Sequence, residues 1–129
     1  MKILLDTSAY VGFKRNVDAV VEIIVNSETI FMSPVVLGEL MFGFRNGIKF
    51  KENMEDRDKF LGNQAVKVAP IGHITSDRYS RIAVQLKQKG RPIPTNDIWL
   101  AAQTMEHGAE IITTDNHFKN IDGLVCTIL

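Results

Sequence analysis

The chain has 129 residues, 45% of them hydrophobic, enough for one domain with a real core (residues 1–129) and too few for two. Fifteen basic residues balance fifteen acidic ones, so no overall positive field marks a nucleic-acid binder, although local patches escape that arithmetic. The lone Cys126 excludes an internal disulfide and reads as a small buried hydrophobe, and no apolar run is long enough for a signal peptide or a membrane span, so a soluble, cytoplasmic protein with no membrane contact is expected.

Ile3–Leu5 is a short apolar run closed by Asp6-Thr7-Ser8, as in a buried parallel strand that stops where a helix begins. Asp18–Val25 alternates too poorly for a half-exposed strand and predicts a helix, and Glu28–Met32 follows as a second strand. Ser33 then offers an N-cap and Pro34 a first-turn proline, a strong helix start. Charges interleaved with aromatics from Phe44 to Phe60 predict an exposed helical hairpin turning near Asn46-Gly47. Ala65–Pro70 reads as a third strand. Thr75 or Ser76 is expected to cap a helix running through Ile82 and Leu86 to Gly90. Arg91–Pro94 must be extended, and Thr95 or Asn96 is expected to cap a helix through Ile98 and Met105 to Gly108. Ala109–Thr114 and Val125–Leu129 supply strands four and five. Strands alternating with helices, without tight hairpins, predict an α/β domain with a mainly parallel central sheet, whose active groups gather at the carboxyl ends of strands.

Four acids adjoin residues that belong in a core: Asp6, Glu39, Asp97 and Asp115. Carboxylates placed there need compensation for lost hydration. If they meet, two unit charges about 4 Å apart repel by about 4 kcal/mol even at an effective dielectric of about 20. A divalent cation would turn that repulsion into a ligand set. Each acid also has a bland reading. Asp6 could simply cap a helix, Asp97 could be a first-turn acid favoured by the helix dipole, and Asp115-Asn116 could be an Asx turn. Glu39 carries most weight, because apolar residues on several sides of its helix imply burial, and a glutamate is almost never fully buried unpaired. Its bland alternative is an ion pair with Arg45. Gly38 and Gly43 cost helix propensity and imply close approach of another backbone beside Glu39.

Carboxylates without thiolates select a hard cation, Mg²⁺ or Mn²⁺. His73, His107 and His117 form no ligand spacing, so zinc is not expected. Ser8, Asn96, Thr113 and Thr114 stand beside the acids as short polar groups suited to orient them, or merely as caps and turn donors.

These residues resemble a known family. Asp6-Thr7-Ser8 at a strand end, Ser33 leading to Glu39-Leu40 and Gly43, Asn96-Asp97 opening a helix with Ala101-Ala102, and Thr113-x-Asp115-x-x-Phe118 resemble the PIN-domain ribonucleases. The small size and the pattern Glu39-Leu-Met-Phe-Gly43 look most like the VapC toxins of prokaryotic toxin–antitoxin pairs. The resemblance runs in order along the whole chain; a departure is Trp99, bulkier than the usual aliphatic residue after the third acid. It implies a three-layer α/β/α sandwich with about five strands and metal-dependent endonucleolytic cleavage of RNA. It implies the quartet Asp6, Glu39, Asp97 and Asp115 as catalytic and metal-binding residues, with Thr7 and Ser8 in support. It also implies a homodimer and a cognate antitoxin that blocks the acidic pocket.

On this reading one or two Mg²⁺ or Mn²⁺ ions at Asp6, Asp97 and Asp115 activate a water, and Glu39 is either a further ligand or the base that orients that water. No side-chain nucleophile is required, and apolar-flanked Cys126 is a poor one. RNA held against acids needs a basic rim, for which Lys14, Arg15, Arg45, Lys49, Lys87, Lys89 and Arg91 are candidates, though for each a solvated helix face is the better explanation. Two rivals remain: a housekeeping PIN-type nuclease without an antitoxin, and a Mg²⁺-binding phosphoacceptor receiver domain. The second needs adjacent acids at the first strand end and an acceptor aspartate ending the third. Here Leu5 precedes Asp6, and Ala69-Pro70 ends the third strand.

Overall fold

The computed structural model describes residues 1–129. Its elements are β1 (Lys2–Leu5), α1 (Thr7–Lys14), α2 (Asp18–Val25), β2 (Thr29–Met32), α3 (Pro34–Asn46), α4 (Phe50–Leu61), β3 (Val66–Val68), α5 (His73–Lys89), α6 (Thr95–Glu106), β4 (Glu110–Thr113), a 3₁₀ turn (Asn116–Asn120) and β5 (Cys126–Ile128). The five strands form one wholly parallel sheet in the order β3-β2-β1-β4-β5. β1 lies in the middle, and Ile3, Leu4 and Leu5 are 0% exposed, as a strand covered on both faces requires. Right-handed crossovers put α1 to α4 over one face and α5 with α6 over the other, which gives the expected three layers.

The chain builds the sheet outward from β1 to β3, then returns to add β4 and β5 on the opposite side. The reversal falls between β1 and β4, paired as Leu4↔Ile111 and Leu5↔Ile112. At such a switch point the loops after neighbouring strands part to opposite faces and leave a crevice at the carboxyl edge. Asp6 follows β1 directly, its amide donating to the Ile112 carbonyl at 3.0 Å, and Asp115 lies two residues past β4.

Several local expectations hold. Ser33 caps α3, its hydroxyl accepting from the Val35 amide at 3.1 Å with Pro34 behind it. Gly90 and Gly108 end α5 and α6 at φ 66° and 60°, where a side chain would be strained. Others are corrected. α5 starts at His73, ahead of Thr75 and Ser76: buried Thr75 accepts from the Gly72 amide at 3.1 Å while donating to Glu106, and the Ser76 hydroxyl donates to the Gly72 carbonyl. α6 likewise takes in both of its expected caps, Thr95 and Asn96, as helical residues. The boundary residue is Pro94, which has no amide to satisfy and whose carbonyl accepts from Asp97 at 3.0 Å and Ile98 at 3.3 Å.

α3 is not the buried helix its composition implied. Only Val36 and Leu40 are buried, Phe42 is 71% exposed, and a Cβ placed on Gly38 or Gly43 would meet nothing within 4 Å, so no backbone approaches there. α4 has no buried residue and is pinned by Phe60, whose ring meets Tyr10 edge-on at 5.3 Å and Phe13 at 5.5 Å. Cys126 is half-buried, not enclosed. No helix is long and apolar enough to cross a membrane.

Candidate acidic site at the switch point

Asp6 combines both of its readings. It caps α1, Oδ1 accepting from the Thr7 amide at 2.7 Å, while Oδ2 accepts from the Thr113 hydroxyl at 2.6 Å across the β1–β4 crevice. At 8% exposure the carboxylate is largely withdrawn from water. Burial pushes its pKa up, the Thr113 and Thr7 hydrogen bonds pull it down, and the charges of Glu39 and Asp115 push it up further. Thr113, fully buried at the end of β4, also accepts from the Asp115 amide at 3.0 Å, so one hydroxyl fixes two acids.

Asp97 reaches the same place from α6, its side chain 15% exposed. Burial, then the charges of Asp6 and Asp115, raise its pKa from the ordinary 3.8 to about 6, with His117 opposing. Asp115 caps the 3₁₀ turn, its Oδ1 accepting from the His117 amide at 2.9 Å. Glu39 is the outermost of the four. It is exposed and accepts a 2.9 Å hydrogen bond from the Thr7 hydroxyl. The expected burial of Glu39 is thus wrong, yet it faces the cluster and its charge acts on Asp6. Arg45 is not its partner, because that guanidinium lies over the Phe50 ring at 4.6 Å. The four acids therefore converge at one edge of the sheet, with the N-terminal, positive ends of α1 and α6 directed at them.

The supporting polar residues divide. Thr7 and Thr113 bond the acids directly, and the Ser8 hydroxyl accepts from the Thr114 amide at 3.1 Å, tying the loops after β1 and β4 together. Thr114 contributes only backbone, and Asn96 is exposed in the first turn of α6 without a capping bond. His117 went unrecognised. Its Nδ1 lies 3.0 Å from Asp115 Oδ1 and 3.5 Å from Asp97 Oδ2. The available signal was the Asp115-x-His117 spacing, since an Asx turn folds residue i+2 back over the carboxylate. His107 instead ends α6 and stacks on Phe31 at 4.6 Å.

The basic residues are spread more widely. Lys14 and Arg15 close α1 about 12 Å along the helix from its acidic end, and Lys14 pairs with Asp56 at 3.4 Å. Lys49 precedes α4 and is exposed. α5 and α6 are antiparallel, Thr75 near the start of one bonding Glu106 at the end of the other, so exposed Lys87 and Arg91 return toward the end where α6 begins. There Lys89 is occupied by the Asn120 carbonyl and Asp122.

One ligand atom each from Asp97, Asp115 and His117 can be chosen so that all lie within 4.8 Å of one another. Ligands on opposite sides of a Mg²⁺-sized ion stand about 4.2 Å apart, so the donor set fits a divalent cation with small side-chain adjustment. Charge, not concavity, marks the site. The largest cavity, about 280 Å³, lies elsewhere, between α1, α2 and α4, lined by Phe13, Lys14, Ile24 and Phe60 among others.

Comparison with known proteins agrees with this geometry. The chain is 28% identical over 105 residues to Ribonuclease VapC2 of Rickettsia felis, covering 81% of this chain and 77% of that one. Ribonuclease VapC5 of Mycobacterium tuberculosis is 28% identical over 58 residues, 45% of this chain and 43% of the relative. Among solved structures, VapBC2 from Rickettsia felis bound to a DNA fragment from its promoter superposes with a TM-score of 0.86 at 25% identity, covering 100% of this chain and 99% of that one. VapBC-1 from nontypeable Haemophilus influenzae gives 0.86 at 23% identity, covering 99% and 98%, a likeness of fold. The profile of the PIN domain matches residues 3–124, nearly the whole sheet and every one of the four acids, and the chain belongs to the PIN domain family.

Proposed function

We propose that residues 1–129 act as a single-domain, metal-dependent endoribonuclease that hydrolyses RNA phosphodiester bonds and serves as the toxin of a toxin–antitoxin pair. The observation that carries this reading is the convergence of Asp6, Glu39, Asp97 and Asp115 on the β1–β4 switch point, where burial first, and then the charges of Asp6 and Asp115, raise the Asp97 pKa to about 6. Likeness to Ribonuclease VapC2 supports the activity, and likeness to the VapBC2 structure supports an antitoxin partner; a homodimer belongs to the same proposal.

One or two Mg²⁺ or Mn²⁺ ions, when bound, supply an activated water and neutralise charge on the scissile phosphate. Asp6, Asp97 and Asp115 would hold them, with Thr113 keeping Asp6 and Asp115 in register and Thr7 bonded to Glu39. Glu39, at the exposed margin, is a further ligand or the base that orients the attacking water. Exposed Lys87 and Arg91, at the end of α5 and just past it, are the residues this reading assigns to neutralise RNA phosphates.

Purified protein incubated with structured RNAs tests the reading. Cleavage is expected with Mg²⁺ or Mn²⁺, absent with chelator, and abolished in Asp6→Asn and Asp97→Asn. Cleavage that persists in both variants overturns it. Growth arrest on expression, relieved by co-expressing the adjacent small gene, separates a toxin from a housekeeping nuclease.

A further inference from the structure

His117 is the one cationic-capable side chain in contact with the inner acids. Among the ion pairs of the molecule, those of Asp97 and of Asp115 are both with His117, and no lysine or arginine reaches either. The backbone that carries the ring is fixed at three points. Its own amide is bonded to Asp115 Oδ1, the Asp115 amide is bonded to Thr113, and the next residue, Phe118, is 0% exposed in the core and anchors the 3₁₀ turn. The nitrogen facing the acids is Nδ1, which leaves Nε2 free to carry the proton in the tautomer that donates a lone pair.

We propose that the His117 imidazole is a ligand of the divalent cation held at Asp97 and Asp115, which gives this site a mixed nitrogen and oxygen donor set that prefers Mn²⁺ to Mg²⁺. The inference rests on the metal-dependent reading above and deepens it. Mg²⁺ favours oxygen ligands alone, whereas imidazole suits transition ions. His117 stands where a nitrogen completes a three-donor face, since all three ligand atoms fit within 4.8 Å. A histidine present only to hydrogen-bond Asp115 would position that carboxylate equally for either ion, so ion preference separates a ligand from a positioning residue.

The test uses the untagged full chain loaded with Mn²⁺. Pulsed electron paramagnetic resonance is expected to show coupling from a directly bound nitrogen, which disappears in His117→Gln. Calorimetry is expected to show Mn²⁺ affinity falling on the order of tenfold or more in that variant while Mg²⁺ affinity changes little. Circular dichroism and thermal melting of metal-free His117→Gln establish that it is folded, and His117→Ala gives a second substitution at the same position. Mn²⁺ binding without nitrogen coupling, or equal loss of both ions in a folded variant, overturns the role of His117 and leaves the carboxylate site standing. A wild-type protein that binds neither ion overturns both.

Discussion

Replacing Asp97 by asparagine should stabilise the metal-free protein while abolishing its activity. The folded state holds the Asp97 proton more tightly than the unfolded chain does, because burial and the charges of Asp6 and Asp115 raise its pKa from 3.8 to about 6. Relative to the unfolded chain, the favourable contribution is complete below about pH 4 and is lost as pH rises through about 6. A shift of roughly two units corresponds to about 3 kcal/mol. An asparagine amide still bears part of the desolvation cost, which leaves a gain of about 1–2 kcal/mol at neutral pH. For a domain of this size that is a rise in Tm of about 4–8 °C. Thermal unfolding of both proteins in chelator, at pH 7.5 and pH 4, should show the advantage at the higher pH and its disappearance at the lower. Saturating Mn²⁺ should reverse the ranking, since ion at about 100 times its Kd adds about 2.7 kcal/mol to wild type and little to the variant. A variant less stable than wild type in chelator at pH 7.5 refutes the account of repulsion among the acids.

Thr113→Val keeps the shape of the side chain but strands the Asp6 carboxylate and the Asp115 amide that share one hydroxyl. Urea unfolding should show a loss of about 2–3 kcal/mol at pH 7, smaller in acid where Asp6 is protonated, and Thr113→Ser should recover most of it. Glu39→Gln removes an exposed charge held by one hydrogen bond. Its stability should stay within about 0.5 kcal/mol of wild type while RNA turnover falls roughly 100-fold or more, measured on the same preparation; a parallel fall in both would mean that Glu39 is structural.

What the sequence discloses follows the range over which each signal acts. The apolar run ending at Asp6 and the Ser33-Pro34 start are short-range signals, and both appear in place. The wholly parallel sheet follows from strand–helix alternation, and with it the meeting of Asp6 and Asp115. Glu39 lies near Asp6, but not in the buried setting that the apolar residues around it imply. Apolar residues around a helix reveal its composition but not what lies opposite, and Phe42 is left 71% exposed. The starts of α5 and α6 escaped because Thr75 bonds to Glu106, 31 residues away, and Pro94 opens its helix without a side-chain acceptor. His117 shows no ligand spacing along the chain. Its partner Asp97 is brought near only by the return of α6 to β4.

The hydrogen bond from Thr113 to Asp6 spans 107 positions of sequence. Until β4 has docked beside β1, the emerging polypeptide has neither the second wall of the crevice nor Asp115. Such distant pairing also makes folding slow. An acidic site assembled this way cannot exist in a partly synthesised polypeptide that still lacks β4 and Asp115.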